Sequence, residues 1–459
     1  MFHRIFDDGL AQSSYVVACS RTRQAAIVDP RRDIDVYVDF ARRLDLKIVF
    51  AIETHVHADF VSGARELSVL GATVVAGPGA GLKFDHHQVQ PGESLQLGDV
   101  TLTLLHTPGH TPEHISVLVE EPDTVKRVLT GDTLFVGAVG RPDLLGPDRA
   151  RELAGQLHVS LQETLLTLGD DVEVHPGHGA GSLCGTGIGH AAHSTIGQER
   201  RFNPMLGYQS KGTFIDTVLA DLPETPPYFA DLKRLNQAGP PILNLGPGLP
   251  RHKVLTPAAA HAAVLQGAHL IDLRSASMFA VSHPKHAINI GFGSKVGYWA
   301  GWVVPLSAAV VLFGVEDAHR RDDVSRQLLR VGIDGVLGFV DGGTDAWRDA
   351  GLPTSRIEHI DPRELHDRLS RGPSFTLVDV RNRSEFEAGQ IPGAINIPVG
   401  SLPSRLGEIP RTLPVATVCE AGHRSSLAAS LLERAGFPSV FSLAGGMTAY
   451  RALESAVNQ

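Results

Sequence analysis

The first 180 residues contain a group of histidine and aspartate side chains whose types and spacing suit a metal ion. The members of the group are His55, His57, Asp59, His110, Asp132 and His178. In segment 54–60, imidazoles at i and i+2 and a carboxylate at i+4 cannot share one helix face, but a turn after a strand can direct them to one centre. Each of the other residues ends an apolar run. Ligand-type side chains at several strand ends are the pattern expected of a metal site.

The elements that must position these residues are short strands joined by Gly-rich connections. Apolar runs at 47–54, 100–107 and 127–132 each end in His, Thr or Asp. This pattern predicts a sheet whose strand ends lead into polar loops, which is where sites of α/β proteins tend to lie.

A second candidate site surrounds Cys419, which follows the apolar LPVATV and precedes a helical pattern. A strand, a tight loop and a helix place the thiol among backbone N–H groups at a helix N-terminus, and the adjacent Arg424 also favours thiolate over thiol. Such a cradle of donors suits a persulfide, whose terminal sulfur is negative. We therefore predict catalytic roles for Cys419 and Arg424. The remaining residues of the predicted persulfide loop are Glu420, Ala421, Gly422, His423 and Ser425.

The C-terminal half of the chain is an internal duplication. IDLRSASMFAVSHPKHAINI aligns without a gap to VDVRNRSEFEAGQIPGAINI, and both repeats end in a double glycine followed by an aromatic residue. Pro-rich joints divide the chain into 1–240, 250–355 and 357–457, and both repeats read as α/β with buried parallel strands. At the position of Cys419 the first repeat has Val315, so it lacks the nucleophile that a persulfide requires.

The histidine group resembles that of the metallo-β-lactamase superfamily, whose usual motif is HxHxDH followed by separate His, Asp and His. The resemblance implies an αββα sandwich over 1–240. One position departs from the motif, because Phe60 stands where the family has its last His. Phenylalanine cannot bind a metal, so the second metal of dinuclear members such as glyoxalase II would keep only Asp59, His178 and a shared Asp132.

Within this superfamily, THVHADFVSG, TGDTLFVGAVGRPDL and STIGQERRFNP resemble persulfide dioxygenases fused to rhodanese domains. The resemblance implies one Fe(II) in the facial arrangement of two imidazoles and one carboxylate. Its ligands would be His55, His110 and Asp132. Three further side chains would orient the ligands, hydrogen-bond to bound oxygen or have a purely structural role, and these are His57, Asp59 and His178. Zn is the alternative metal.

Two residues near this group are candidates for substrate binding. Arg141 could hold a substrate carboxylate through its planar guanidinium, or it could form an internal salt bridge with Asp143. Cys184 lies six residues after His178, so it could line the pocket or be a small buried hydrophobe.

Residues 357–457 resemble the rhodanese domain of sulfurtransferases. DVRNRSEFEAGQIPGAINIP is similar to the segment that precedes the active-site loop in that family, and the loop has six residues from Cys419 to Arg424, whereas related phosphatase loops are usually longer. By the repeat match, 250–355 is expected to be an inactive rhodanese-like domain. The expected fold class is therefore α/β multidomain, with a metallo-β-lactamase sandwich followed by two rhodanese-like domains with parallel sheets.

These resemblances imply a persulfide dioxygenase with rhodanese-type sulfurtransferase activity. A low-molecular-weight thiol persulfide, most readily glutathione persulfide, would be oxidised by O₂ to sulfite with release of the thiol. Cys419 would carry sulfane sulfur, either to make the substrate or to convert sulfite into thiosulfate. Two alternatives stay open, a Zn-dependent thioester hydrolase of the glyoxalase II kind and a non-oxidative sulfur carrier.

Composition limits the partners and the compartment. The 459 residues carry a formal net charge of −9 and no basic stripe, which argues against nucleic acid or an anionic membrane as partner. The sequence has no signal-peptide pattern and no apolar run of about 18 residues. Three cysteines fit a reducing compartment. We expect a cytoplasmic protein, and a homodimer by family resemblance.

Overall fold

The computed structural model describes residues 1–90, 92–208, 210–220, 222–249, 252–372 and 375–457. The chain forms two compact units. The first comprises the described residues of 1–250 together with 329–332, and the second comprises those of 251–328 and 333–459. Residue 250, the predicted start of the second segment, lies outside the described residues.

The first unit contains two six-stranded sheets. The first sheet comprises, in pairing order, β1 (Phe2–Asp7), β2 (Gln12–Ala18), β3 (Gln24–Val28), β4 (Lys47–Glu53), β5 (Thr73–Ala76) and β6 (His87–Gln88). The next strands along the chain are β7 (Ser94–Leu97), β8 (Val100–His106), β9 (Ile115–Glu120), β10 (Arg127–Gly131), β11 (Leu134–Phe135), β12 (Ala138–Val139), β13 (Glu173–Pro176) and β14 (Ser194–Thr195). The second sheet has the order β14-β13-β10-β9-β8-β7, and β11 and β12 pair separately.

Six α-helices in the described part of the first unit accompany these sheets. They are α1 (Asp35–Arg43), α2 (Ala64–Val69), α3 (Pro147–Val159), α4 (Ile196–Phe202), α5 (Lys211–Ala220) and α6 (Tyr228–Ala238). Residues of α1 and α2 pack against the first sheet, while residues of α3, α4 and α5 pack against the second. Tyr15 and Val17 of β2 pack in the core between the sheets, whereas Val16 packs in a second cluster with α1 and α2. Because alternate residues of a strand face opposite sides, β2 is buried along its whole length. The predicted αββα sandwich is confirmed.

The second unit contains two five-stranded sheets of the same strand order. The chain segment that forms the first of these two sheets contains, in order, β15 (Val254–Leu255), α7 (Pro257–Leu265), β16 (His269–Asp272), α8 (Ala276–Val281), β17 (His283–Pro284), β18 (Ile288–Asn289), α9 (Val296–Val303), β19 (Val310–Phe313), α10 (Ala318–Arg330), β20 (Val336–Val340), α11 (Gly343–Asp349) and β21 (Thr354–Ser355). The second comprises β22 (Glu358–Ile360), α12 (Pro362–Ser370), β23 (Thr376–Asp379), α13 (Arg383–Glu387), β24 (Ile395–Asn396), α14 (Leu402–Arg405), β25 (Val415–Val418), α15 (His423–Arg434), β26 (Val440–Leu443) and α16 (Gly446–Val457).

The two sheets of the second unit repeat one topology. Their strand orders are β15-β20-β19-β16-β18 and β22-β26-β25-β23-β24, and neighbouring strands pair in parallel. The aligned residues Asp272 and Asp379 end equivalent strands, β16 and β23. Among the described residues, no helix combines the length and apolar character that crossing a membrane demands.

Candidate functional site

His55, His110 and Asp132 come together at the ends of β4, β8 and β10, as predicted from their places after apolar runs. One ligand atom of each lies within 4.8 Å of the other two, and all three side chains are buried. Asp132 Oδ2 is 3.8 Å from His55 Nε2 and 3.5 Å from His110 Nε2. Two atoms that each lie about 2.1 Å from one metal ion can be at most about 4.2 Å apart. Both separations from Asp132 Oδ2 are below that limit.

Hydrogen bonds determine which ring nitrogen of each histidine carries the proton. His110 Nδ1 lies 2.8 Å from the carbonyl oxygen of Arg141, so Nδ1–H donates and Nε2 keeps its lone pair. Thr54 Oγ1 donates to Asp29 at 2.9 Å and therefore accepts from His55 Nδ1 at 2.9 Å. Burial lowers the pKa of both imidazoles. Both rings are thus neutral with Nε2 free, the form that a metal binds.

Asp132 has one carboxylate oxygen without a partner. Oδ1 accepts from His178 Nδ1 at 2.7 Å, whereas the buried Oδ2 has no hydrogen-bond partner among the described residues. Burial raises the pKa of Asp132, but the nearby His178 and His110 outweigh it and hold the pKa below its usual range. A buried, ionised oxygen with no donor is strongly unfavourable unless a cation binds it. The donor set therefore fits a metal ion.

Gly177 makes room for this carboxylate. A Cβ at position 177 would lie 2.7 Å from Asp132 Oδ1 and 3.2 Å from the backbone of Gly131. The glycine that precedes His178 in the sequence thus lets the β13 loop approach the metal-site strand closely enough for His178 to reach Asp132.

His178 lies between two carboxylates. Its Nδ1 contacts Asp132 at 2.7 Å, and its Nε2 contacts Asp59 Oδ2 at 2.8 Å. Burial lowers the pKa of His178, but the negative charges of Asp132 and Asp59 outweigh it and raise the pKa well above its usual range. Both ring nitrogens of His178 lie within hydrogen-bond distance of a carboxylate oxygen.

Cys184 lies beside this pair, near the site as predicted. Its sulfur is within 4.8 Å of ligand atoms of Asp59 and His178. Burial raises the pKa of the Cys184 thiol to about 12, so the sulfur is neutral at ordinary pH. It packs against Phe135 and Ala138. A substrate-binding role stays a prediction.

His57 is held by two carboxylates on the first sheet. Its Nε2 lies 3.1 Å from Asp29 Oδ1 and 3.3 Å from Glu53 Oε2. Burial lowers the pKa of His57, but Asp29 and Glu53 outweigh it and raise the pKa to about 9. Sequence reasoning missed Asp29, which also accepts from Thr54 beside His55. It directly follows β3, so the strand-end pattern could have revealed it.

Phe60 is fully buried, and its ring packs on His57 with the centroids 4.2 Å apart. The backbone around it is fixed by Asn236 of α6, whose Nδ2 donates to the carbonyls of His57 and Phe60 at 2.8 Å each. The side-chain oxygen of Asn236 accepts from Ser62 N at 3.0 Å. The loop after β4, residues 54–62 (the metal-site loop), is thus held by a helix far along the sequence. No sequence motif predicted a role for that helix.

Arg141 is buried, and each of its three side-chain nitrogens donates to a protein oxygen. Nε and Nη2 bind Asp143 at 2.7 and 2.8 Å, Nη1 donates to the carbonyl of Leu183, and Nη2 also donates to Pro223 and Thr225. The structure therefore contains the internal ion pair with Asp143. Substrate binding by Arg141 stays a prediction.

Lys233 is a further residue that sequence reasoning missed. Its Nζ is buried and has no hydrogen-bond partner in the described part of the chain. Lys233 lies three residues before Asn236, hence on the helix face that fastens the metal-site loop. Burial lowers the pKa of Lys233, and its charge contributes to the lowered pKa of His110. A lone lysine on an amphipathic helix resembles an ordinary solvated residue, so no pattern in the sequence distinguishes it.

Cys419 occupies the predicted position between β25 and α15. Gly422 N lies 3.1 Å and Ser425 N 3.3 Å from Cys419 Sγ, and both amides direct their hydrogens at the sulfur. Gly422 has φ of 101°, in the left-handed region that favours glycine. Ala421 and His423 flank it on the exposed side of the loop. The loop therefore supplies N–H donors that stabilise a negative sulfur.

Ion pairs surround this loop. Arg424 binds Glu385 through both guanidinium Nη atoms, at 2.6 and 2.7 Å, and this bond lowers the pKa of Glu385. Glu420 accepts from Arg451 at 2.8 Å. Arg381 binds Asp379 at the end of β23. Arg424 is therefore held in place beside the loop by a carboxylate from α13.

The equivalent loop of the first repeat is built differently. Val315 is buried where the second repeat has Cys419, and the helix α10 begins three residues later. Asp317 Oδ1 accepts from Arg320 N at 2.9 Å, so a carboxylate occupies the start of that helix. The first repeat thus has a valine in place of the thiol and a carboxylate bonded to an amide at the start of the following helix.

Two sequence profiles match the chain. The metallo-beta-lactamase superfamily matches residues 7–178, and the rhodanese-like domain matches residues 361–453. These ranges contain the metal-site residues and the Cys419 loop, respectively.

Two kinds of enzyme, a hydrolase and a dioxygenase, are found among the individual relatives. Hydroxyacylglutathione hydrolase GloC of Haemophilus influenzae is 30% identical over 210 residues, which is 41% of this chain and 90% of that protein. Persulfide dioxygenase ETHE1, mitochondrial, of Bos taurus is 27% identical over 213 residues, which is 45% of this chain and 76% of that protein. A solved metallo-beta-lactamase from Staphylococcus aureus is 32% identical, with a TM-score of 0.66 over 74% of this chain and 98% of that chain.

Proposed function

Because the chain belongs to the metallo-beta-lactamase superfamily and carries a rhodanese-like domain, we propose that it oxidises a thiol persulfide with O₂ and transfers sulfane sulfur through Cys419. The observation that carries the proposal is the donor set of His55, His110 and Asp132, whose ligand atoms lie within 4.8 Å of one another. Beside it, Phe60 stands where the superfamily motif has a histidine, and both ring nitrogens of His178 contact carboxylates.

The proposed cofactor is one Fe(II). Two imidazole nitrogens and one carboxylate oxygen are the donor set of non-haem Fe(II) oxygenases. When bound, the iron supplies a common coordination shell for both reactants and a spin-allowed route to O₂. The residues that hold it are His55, His110 and Asp132.

The protein's own groups bind and orient a negative substrate. The Nζ of Lys233, which is buried and has no hydrogen-bond partner among the described residues, would attract the persulfide or a carboxylate of its thiol. His178 holds its protons between Asp132 and Asp59, which fixes the orientation of the metal-binding carboxylate. Glutathione persulfide is the proposed substrate. The overall reaction is RSSH + O₂ + H₂O → RSH + H₂SO₃, in which the terminal sulfur is oxidised.

Cys419 carries sulfur as a covalent persulfide. In the direction of thiosulfate formation, sulfite attacks the outer sulfur, a new S–S bond forms, and the bond to Cys419 breaks to release a thiolate. Because the Gly422 and Ser425 amides point at the cysteine sulfur, they stabilise that thiolate as it leaves. In the reverse direction, the Cys419 thiolate attacks the outer sulfur of thiosulfate and sulfite leaves; the low-molecular-weight thiolate then attacks the same sulfur, which forms the persulfide substrate and releases the Cys419 thiolate.

We assign three domains on this basis. Residues 1–240 form the metal-binding domain, 250–355 an inactive rhodanese-like domain, and 357–457 the active sulfurtransferase domain. The assignment of the middle domain is supported by the repeated strand order and by Val315 in place of the nucleophile.

The test is oxygen uptake by anaerobically Fe(II)-loaded protein on addition of glutathione persulfide, with sulfite measured alongside. We expect uptake matched by sulfite, and loss of both in His55→Ala. Protein verified to hold iron that consumes no oxygen would refute the dioxygenase assignment.

A second candidate is a Zn-dependent thioester hydrolase. It is favoured by the similarity to hydroxyacylglutathione hydrolase GloC and by the cluster of Asp59, His178 and Cys184. Hydrolysis of a hydroxyacylglutathione by Zn-loaded protein, without oxygen uptake by the Fe(II) form, would select this function. A purely non-oxidative carrier would instead transfer sulfur with no metal and show neither activity.

A further inference from the structure

The helix that follows the cysteine loop is bonded along one side to the first repeat. Ser426 Oγ, in the first turn of α15, donates to Asn289 Oδ1 at 2.6 Å. One turn later, Ser430 Oγ accepts from Asn289 N at 3.1 Å. All three residues are buried. Strand β18 of the first repeat therefore contacts α15 of the second repeat at two successive turns.

The end of α15 is held by the same repeat. Glu433 binds His283 Nε2 at 2.9 Å and also accepts from Ser355 Oγ. Arg434 Nη1 donates to the carbonyl of His286 at 3.1 Å. The first repeat thus fixes the helix against both translation and rotation.

Aromatic packing from the first repeat continues toward the loop itself. The indole of Trp302 lies against Gly400, where a Cβ would come within 2.2 Å of its ring. Tyr298, on the same helix α9, lies near enough to Arg424 for that charge to act on its phenol, although burial dominates and raises the pKa of Tyr298. The first repeat therefore surrounds α15 from the loop to its last turn.

An internal comparison shows which of these bonds is additional. Asn289 and its aligned partner Asn396 both donate through Nδ2 to two carbonyls at 2.9 to 3.1 Å. One carbonyl belongs to the last residue of the neighbouring parallel strand, β16 or β23, and the other to the residue two positions further on. That bond set braces the turn within each repeat. The bond from Ser426 to the side-chain oxygen of Asn289 serves a different purpose, because it joins the two repeats.

We propose that the first repeat is a positioning partner for the persulfide loop, with Asn289 locking the catalytic helix through Ser426 and Ser430. The amide of Ser425, one residue before Ser426, is itself a donor to Cys419 Sγ. Hydrogen-bond strength falls steeply with distance and angle, so a small shift of this first turn weakens the donors that stabilise the sulfur. A repeat without a nucleophile is thereby part of the catalytic apparatus of its neighbour. This inference rests on the Cys419 chemistry of the proposed function and is independent of the metal centre.

The test compares the double variant Ser426→Ala/Ser430→Ala with the wild-type chain. Alanine favours helix, so α15 keeps its helical propensity while losing the bonds to Asn289 and the bond within the helix from Ser430 Oγ to the carbonyl of Leu427. Ser455→Ala is the matched control, because Ser455 is a helical serine of α16 whose hydroxyl bonds only within its own helix. Sulfur transfer from thiosulfate to cyanide is measured, together with the pH profile of alkylation of the Cys419 peptide.

We expect kcat for sulfur transfer to fall about tenfold in the double variant, which corresponds to about 1.4 kcal/mol, the scale of one or two lost hydrogen bonds. The midpoint of the alkylation profile should move to higher pH, which loss of packing alone would not cause. Wild-type values for both measurements in a variant with an unchanged melting curve would overturn the proposal, as would equal losses in Ser455→Ala. If the wild-type chain transfers no sulfur, the proposed reaction fails, and the alkylation profiles still decide the positioning role.

Discussion

The candidate metal centre contains one buried carboxylate oxygen, Asp132 Oδ2, that has no hydrogen-bond partner among the described residues. Asp132 is fixed on one side by His178 and given space by Gly177, so its second oxygen is directed at the two imidazoles. The histidines are set by their own bonds to Arg141 and Thr54. Each of the three proposed metal ligands is therefore oriented by a group outside the proposed ligand set.

Asp132→Asn tests this arrangement directly. The amide has the same shape but no negative charge, so we expect metal affinity to fall by at least about a hundredfold. Iron content per chain after dialysis provides the measurement. Asp216→Asn is the control, since Asp216 of α5 forms an exposed ion pair with Arg151 of α3. Full iron content in the Asp132 variant would exclude this residue from the ligand set.

The elements of the second unit are joined by close contacts as well as by hydrogen bonds. Gly400, in the loop after β24, accommodates the Trp302 ring of α9. Glu433, at the end of α15, receives the side chains of His283 and Ser355. Each contact should therefore contribute to the free energy of unfolding of the second unit.

Gly400→Ala should destabilise the fold by about 1–3 kcal/mol, because the added methyl overlaps the Trp302 ring and the aromatic side chain must move. Urea-induced unfolding measures the change. Gly389→Ala is the control, because a Cβ there has nothing within 4 Å and the backbone is not in the left-handed region. Equal effects of the two substitutions would contradict the close packing of Trp302.

The acid sensitivity of the second unit should depend on Glu433. Burial raises the pKa of Glu433, but the bonds from His283 and Ser355 outweigh it and lower the pKa below its usual 4.5. A carboxyl with a lower pKa in the folded state stabilises the fold above its unfolded pKa, and that stability is lost as the pH falls through the folded pKa.

Glu433→Gln should therefore reduce the loss of unfolding free energy between pH 6 and pH 3, about the window set by the unfolded carboxyl. Urea titrations at several pH values give this slope. Glu364→Gln, which breaks only an exposed pair with Arg368 on α12, should leave the slope unchanged. An unaltered slope in the Glu433 variant would show that the buried pair contributes nothing to acid sensitivity.

The whole chain combines two candidate sites built from separate residues, and the proposed function gives each site its own reaction. Cys419→Ser should lower sulfur transfer to cyanide by at least about a thousandfold, because the nucleophile is lost. Iron content and persulfide-dependent oxygen uptake should stay at wild-type values. Cys19→Ser, a change in the core between the sheets of the first unit, should preserve both activities. Sulfur transfer that survives in Cys419→Ser would place the carrier elsewhere.

Sequence patterns predict those parts of the molecule in which a residue's role follows from its own chain segment. His55 and Asp132 end apolar strands, and Cys419 lies between a strand and a helix, so local pattern alone indicated them. Lys233 and Asn289 could not be found in this way. Lys233 acquires its role only when α6 packs against the metal-site loop, and Asn289 only when one repeat packs against the other.

Asp317 gives the loop of the first repeat a different charge from its counterpart. Its carboxylate accepts from the amide of Arg320 at the start of α10, whereas the aligned residue of the second repeat is the uncharged Ala421. Val315→Cys alone would therefore bring a thiol into a loop that also carries a carboxylate, and a nearby negative charge disfavours the thiolate. Removing that carboxylate would at the same time remove a helix cap. Giving the first repeat a reactive thiol would thus take at least two substitutions, the second of which costs helix stability.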